Sequence, residues 1–401
     1  MLDPAVVAAI DARLAADDAA RLAAYPGPPA GRQPVHTVYV PADLFQPETL
    51  ASWGRQAAAS VATHGPLESI SQSLAERVDA KLAREPIEDL RIDFEDGYGI
   101  RSDATEDIDV RAAATIVGLG EPGTVPAFVG LRMKSLEDPT RLRGIRTLDL
   151  FLETALIAGG LPDGFRVTLP KVSSVEQVLA MVTLAEALES TYAITPLSIE
   201  LQVETPQAVL GPDGTALIAR MLHACAGRCV GLHYGTYDYS ASVGIAAAHQ
   251  SMEHPAADYA KAVMQVAAAG TGVAVSDGST NIVPVGTPAE IRAAWALHYR
   301  LVLRSLERGF YQGWDLHPAQ LPTRFAATFA FFRAALPSSA ARLRAYLDKQ
   351  SSGVLDEPAT AKALAGYLLR GLDSGAVDEA EVAEAAGLTP TALAELAGRQ
   401  L

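Results

Sequence analysis

Alternation of apolar and polar positions organises most of this chain. In LSIELQVE (197–204), Leu197, Ile199, Leu201 and Val203 share one face, and Ser198, Glu200, Gln202 and Glu204 share the other, because side chains alternate along a strand. The same split recurs in 89–95, where Leu90, Ile92 and Phe94 oppose Arg91, Asp93 and Glu95. It recurs again in 126–133, where Val129, Leu131 and Met133 oppose Gly130 and Arg132. Short β-branched or apolar runs at 36–41, 89–95, 126–133, 165–169, 197–204, 229–235, 271–275 and 310–315 are separated by helix-periodic stretches. With roughly thirty to fifty residues per unit, this is the signature of a parallel sheet. Eight such units predict an α/β protein, a closed (β/α)8 TIM barrel. An open doubly wound sheet would be apolar on both faces. The shared polar face therefore favours the barrel and places an active site in its upper interior.

The ends of the chain differ. Residues 4–24 are rich in Ala and Leu with interspersed charges and read as a surface helix, stopped by PGPPAGRQP (26–34). After about residue 335 the pattern is helical throughout. The expected organisation is an N-terminal helical appendage and linker over 1–34, a catalytic barrel over 35–335, and a C-terminal helical extension, a candidate lid, over 336–401.

With 401 residues, 49% hydrophobic and 20% charged, the chain can bury a large core. Its formal net charge of −15 argues against a nucleic-acid partner, which needs clustered Lys and Arg. No apolar run reaches the ~18 residues of a membrane span. Two cysteines, Cys225 and Cys229, cannot staple a fold of this size, and Asp3, Asp11, Asp17 and Asp18 interrupt the N-terminus. Both features fit a cytoplasmic protein.

The chemistry concentrates at strand ends. Glu204 closes the fifth run and Asp238 follows the sixth, so both belong at the C-terminal rim, where barrel enzymes place their catalytic groups. Neighbouring strands lie only ~4.8 Å apart, so the two carboxylates can share a cation. Magnesium suits them, since it commonly uses one or two carboxylates plus substrate and water. The alternative is a pair of solvated loop acids. Arg132 ends the third run on the polar face, where a guanidinium can hold a substrate carboxylate bidentately; its structural alternative is an ion pair with Glu95 or Asp96. The acids Asp93, Glu95 and Asp96 can orient Arg132 or hold metal-bound water. Lys171 is a second rim cation and, among so many acids, stays protonated.

Other features are weaker. Cys225, Cys229 and His223 lack a fourth zinc ligand, and His233 and His317 read equally well as structural histidines. The segment 381–398 resembles a DNA-binding helix-turn-helix, but the acids Asp378, Glu379, Glu381, Glu384 and Glu395 around it oppose phosphate contact.

The ordered motifs VYVPAD (38–43), DFEDG (93–97), LRMK (131–134), LPK (169–171), VETPQAV (203–209), HYGTYD (233–238) and LHPAQ (316–320) resemble the citrate lyase β-subunit-like family. This family belongs to the HpcH/HpaI aldolase superfamily, which includes malyl-CoA lyases. The resemblance implies Mg2+, with Mn2+ as a substitute, on Glu204 and Asp238. It implies Arg132, Glu95 and Asp96 as catalytic residues, and Arg132, Lys134, Pro170, Lys171, Thr236 and Tyr237 as substrate contacts. Two positions depart from the family: Lys134 stands where asparagine is usual, and Val35 and His36 stand where an arginine commonly opens the first strand.

The expected function is a metal-dependent carbon–carbon lyase or aldolase. It acts on a 2-oxo or 3-hydroxy carboxylate, or its CoA thioester, through a stabilised enolate. Alternatives on the same site are a thioesterase and a condensing enzyme of malate synthase type; DNA binding through 381–398 is the non-enzymatic one. The resemblance also implies a homo-oligomer, trimer or hexamer. Lys134, farther past the rim than Arg132, is expected to touch the distal part of the substrate.

Overall fold

The computed structural model describes residues 2–67, 70–348 and 357–399. Its centre is an eight-stranded parallel sheet of β1 (His36–Pro41), β2 (Asp89–Asp93), β3 (Phe128–Arg132), β4 (Arg166–Leu169), β5 (Ser198–Val203), β6 (Cys229–Tyr234), β7 (Ala274–Ser276) and β8 (Gly313–Asp315). The order β7-β6-β5-β4-β3-β2-β1-β8 follows the chain around a barrel, with helices between successive strands. Closure is made at β7 and β8 by a bridge between Ser276 and Gln312. Asp277 N donates to Gln312 O at 2.9 Å beside it, and Trp314 N to Gly278 O at 3.2 Å. All eight strand positions expected from alternation are occupied, with ends differing by a few residues.

Outward-facing Leu90, Ile92, Leu131, Val167, Ile199, Leu201 and Leu232 are fully buried beneath the helices. That burial fixes register, because a slip of one residue would turn this apolar set into the barrel. Inward-facing Thr37, Asp89, Arg91, Thr168, Glu200 and Gln202 are polar and fully buried. In the lower layer Arg91 donates to Glu200 through Nη2 at 2.5 Å and Nε at 2.9 Å, and it also pairs with Asp89. Thr168 Oγ1 donates to Glu200 at 2.9 Å, and Arg166 reaches the same carboxylate at 3.2 Å. Asp315, the last residue of β8, is held outside the barrel by His36, His298 and Arg324. These contacts tie the closing strand to the long helix Leu321–Leu347.

The helix Pro4–Ala24 forms as expected and contains no buried residue. The helix Leu321–Leu347 runs without interruption across residue 335. Helices Pro358–Ser374, Glu379–Ala386 and Pro390–Ala397 bury Leu364, Leu368, Val382 and Leu393 together with Leu343 of that long helix. Arg77 of the helix Gln72–Arg84 grips Asp378 at 3.0 Å through both Nη atoms, and Arg333 grips Glu381 at 2.9 Å. Because the helix Gln72–Arg84 feeds the N-terminal end of β2, the extension sits toward the N-terminal ends of the strands. Both helices of the 381–398 segment turn apolar faces inward. Among the described residues no helix is long and apolar enough to cross a membrane.

Candidate functional site

At the C-terminal ends of the strands lies a cleft of about 330 Å³. It is lined by Tyr39 and Pro41 of β1, Asp93, Asp96 and Gly97 after β2, Arg132 of β3, Glu204 after β5, Gly235 to Asp238 after β6, Ser279, and Trp314 and Leu316 of the β8 end. Among the described residues of 336–401 none lines the cleft. The apolar faces of the extension pack on the long helix Leu321–Leu347.

Glu204 and Asp238 face this cleft and are joined by Lys171. The Lys171 backbone N–H donates to Glu204 Oε1 at 2.7 Å, while its Nζ lies 2.8 Å from Asp238 Oδ2, 2.7 Å from Glu95 Oε1 and 2.7 Å from Asp96 Oδ2. Lys171 adopts φ 53°, a left-handed conformation uncommon outside glycine, which turns both its N–H and its side chain toward the acids. The ammonium remains protonated: burial opposes the charge, but Glu204 and Glu95 first, then Asp238 and Asp96, raise its pKa far above the ordinary value. Gly235 is required beside Glu204, since a Cβ there would collide with Glu204's own Cβ. Burial, reinforced by Asp238 and Glu95 and opposed by Lys171 and Arg132, pushes Glu204 up to about 7.

Arg132 is at the cleft, but its partner is Asp93. Nε and Nη2 donate to the two Asp93 oxygens at 2.7 and 2.6 Å, and Nη1 stands 3.5 Å from Glu95 Oε2. The planar fork is therefore filled, which corrects the expectation of a bidentate grip on substrate: only the Nη1 edge is left for it. Gly97 N donates to Asp93 Oδ2 at 2.9 Å and helps hold that carboxylate in place. Pro170, buried, leads into the Lys171 turn, Thr236 lines the cleft, and Tyr237 OH accepts from Asn281 N at 2.6 Å.

Lys134 is elsewhere. Its Nζ donates to Phe94 O at 2.6 Å and pairs with Glu106 at 3.0 Å, over the Tyr98 ring. Since β3 ends at Arg132, strand alternation no longer governs Lys134, which turns outward to neutralise a buried acid on the helix Asp103–Leu119. The expected contact with the distal part of a substrate is corrected accordingly. His233 faces Glu200 at 3.5 Å, His317 caps Ala319 N at 3.2 Å, and Cys225 and Cys229 are buried and unbridged.

Sequence reasoning missed the aromatic corner. Tyr39 and Trp314 pack with ring centroids 4.6 Å apart and planes tilted by 37°, and Arg132 lies 4.7 Å over the Tyr39 ring. Tyr39, Trp314 and Thr236 line the cleft, and Tyr39 OH, Trp314 Nε1 and Thr236 Oγ1 are buried without a hydrogen-bond partner, as is Gln202 Oε1. A buried polar atom without a partner is costly, so this cluster marks a place for a polar ligand. Inward parity was the available signal for both aromatic residues.

The donor set fits a hard divalent cation. Glu95, Asp96 and Asp238 share the Lys171 ammonium while Glu204 accepts from its backbone N–H, which leaves an excess of negative charge. Among the described residues no three His, Cys, Asp or Glu side chains form a ready cage. An ion here would take Glu204 and Asp238 and complete its shell with water and substrate, as magnesium does.

Similar barrels are found among solved structures. A citrate lyase from Burkholderia xenovorans LB400 is 19% identical, with 89% of this chain and 96% of that chain covered and a TM-score of 0.61, and it shares the fold. The CitE protein of Mycobacterium tuberculosis in complex with magnesium, acetoacetate and coenzyme A is 19% identical over 86% of this chain and 98% of that one (TM-score 0.49). A magnesium/glyoxylate complex of Haloferax volcanii malate synthase is 12% identical over 91% and 97% (TM-score 0.49). No curated protein matches the sequence. Residues 14–401 match the family described as a domain of unknown function (DUF6986), and the chain belongs to that family.

Proposed function

We propose that this protein is a magnesium-dependent carbon–carbon lyase or aldolase whose substrate is a short 2-oxo or 3-hydroxy carboxylate, free or as a CoA thioester. The observation that supports it most is the convergence of Glu204 and Asp238, from the ends of adjacent strands, on a cleft that also holds Arg132 and unpartnered donors. A bound divalent ion would polarise the substrate carbonyl and stabilise the enolate oxygen. Glu204 and Asp238 would hold that ion, and Lys171 keeps the surrounding acids from repelling one another. Asp93 fixes the Arg132 plane so that Nη1 faces the substrate oxygens, and Glu95 and Asp96 position Lys171 and Arg132. Tyr39 OH, Trp314 Nε1 and Thr236 Oγ1 donate to the remaining oxygens, while the packed Tyr39 and Trp314 rings exclude water from the reacting end.

The test is turnover of a panel of short 2-oxo and 3-hydroxy acids, free and as CoA thioesters, with magnesium and with chelator. Magnesium-dependent cleavage or condensation of at least one acid, lost in Asp238→Asn, is expected; turnover unaffected by chelator would overturn the reading. We assign the working form as a homo-oligomer. In support, the helix Pro4–Ala24 exposes Val6, Val7, Ile10, Leu14 and Leu22 to solvent. Light scattering at micromolar concentration that reads a monomer would refute this.

A further inference from the structure

A second cavity, of about 200 Å³, lies far from the cleft, between the N-terminal linker and the C-terminal helices. Its walls include Pro28, Gly31 and Gln33 on one side and Lys362, Arg370 and Arg399 on the other, and among the described residues no acid lines it. In a chain of net charge −15 this is an unusual place, because the cations buried elsewhere have carboxylate partners. Lys81 has Glu85 and Glu88, Arg91 has Asp89 and Glu200, and Lys261 has Asp277.

Arg370 has none. Its guanidinium rests 4.3 Å over the Tyr311 ring and makes no ion pair or hydrogen bond among the described residues. Burial first, and then the neighbouring Arg399, lowers its pKa against the opposing pull of Tyr311 and Asp373. Arg399 turns Nη1 and Nη2 to Asp373, with Nη2 at 3.2 Å, and its buried Nε has no partner. Lys362 is exposed at the edge. The Arg370 side chain is half-buried, and a fork of N–H donors beside a second arginine matches the oxygens of a phosphoryl or carboxylate group.

We propose that this cavity is a binding site for a small polyvalent oxyanion, held by Arg370, Arg399 Nε and Lys362. The volume is below that of most drug-sized pockets and suits a phosphate or a small polycarboxylate. The occupant joins three segments distant in sequence: the 28–33 linker, the helix Pro358–Ser374 and the end of the helix Pro390–Ala397. Tyr311 beneath Arg370 directly precedes Gln312, which makes the bridge closing the barrel, so occupancy also steadies that seam.

Isothermal titration of the full chain in magnesium-free buffer, with sodium phosphate or sodium citrate against sodium chloride at matched ionic strength, tests the site. Saturable binding of one equivalent of at least one polyvalent anion is expected, and the tighter of the two identifies the group recognised. Arg370→Met should weaken that binding by about tenfold or more, and Arg370→Lys, which keeps the charge and the stem, by less. Lys362→Met, a surface change that leaves folding intact, should weaken it severalfold. Lys171→Met, which removes a cation from the other cleft, should leave it unchanged. Absence of saturable binding in the unaltered chain would overturn the proposal. So would undiminished binding in both Arg370→Met and Lys362→Met, or loss of binding in Lys171→Met, which would put the anion in the cleft.

Discussion

The lower and upper layers of the barrel interior are built from the same kinds of residue, and they differ in how fully those residues are satisfied. Below, Arg91, Asp89, Glu200 and Thr168 close a network in which each charge meets an opposite charge at hydrogen-bond distance. Above, Tyr39 OH, Trp314 Nε1, Thr236 Oγ1 and Gln202 Oε1 have no partner, and the acids around Lys171 exceed the cations. The lower layer is a plug that completes itself; the upper layer is completed by something it binds. Polarity inside a barrel therefore does not mark a site, whereas incompletely satisfied polarity does.

The largest expected effect falls on the plug. Arg91→Met removes one side of a fully buried pair and should cost about 3–5 kcal/mol of stability, read from denaturant unfolding. A loss as small as that of a surface substitution would show that the lower network does not hold the barrel. Lys134→Met comes next, because it strips a partner from buried Glu106 while Arg143 remains at 3.0 Å. It should cost about 1–3 kcal/mol and leave substrate preference unchanged. A shift in preference with unaltered stability would return Lys134 to the cleft.

A smaller effect on binding, with almost none on stability, is expected at the aromatic corner. Tyr39→Phe removes a hydroxyl that has no partner in the protein, so the unfolding midpoint should stay nearly constant. KM for the best substrate should rise about tenfold, equivalent to ~1.4 kcal/mol. Unchanged KM with lost stability would make Tyr39 a structural residue.

The two layers should also respond to pH with opposite sign. Burial alone would raise Glu200, but Arg91, then His233 and Arg166, hold it well below the ordinary 4.5. The unfolded chain takes up that proton first, so the stability linked to Glu200 is present above 4.5 and lost as pH falls through the folded value. Glu204 is raised by burial to about 7 from 4.5. In metal-free protein its contribution is therefore complete below 4.5 and lost as pH rises through about 7. Denaturation midpoints across pH should show this decline in the unaltered chain and not in Glu204→Gln; persistence of the decline in that variant would place the titrating group elsewhere.

Strand positions, barrel class and the rim placement of Glu204 and Asp238 were legible because alternation and chain order carry them directly. Arg132 was legible as a cleft residue but its partner was not, since Asp93, Glu95 and Asp96 all lie close in sequence and only the register Asp93 to Arg132 selects among them. Lys134 was misplaced because parity was extended beyond the end of the strand. Tyr39 and Trp314 were hidden because an aromatic residue in an apolar run reads as core until its polar atom is found unpaired. The basic cavity was invisible for another reason: its residues come from 28–33, 362–370 and 399, and nothing local links them.

The central claim, that the upper layer is completed by a divalent cation on Glu204 and Asp238, is tested most directly by calorimetric titration of magnesium into the unaltered chain, Glu204→Gln and Asp238→Asn, with unfolding midpoints measured on the same samples. The account predicts saturable binding in the unaltered chain and none detectable in either variant, with both variants still folded. Equal magnesium affinity in all three proteins would contradict it.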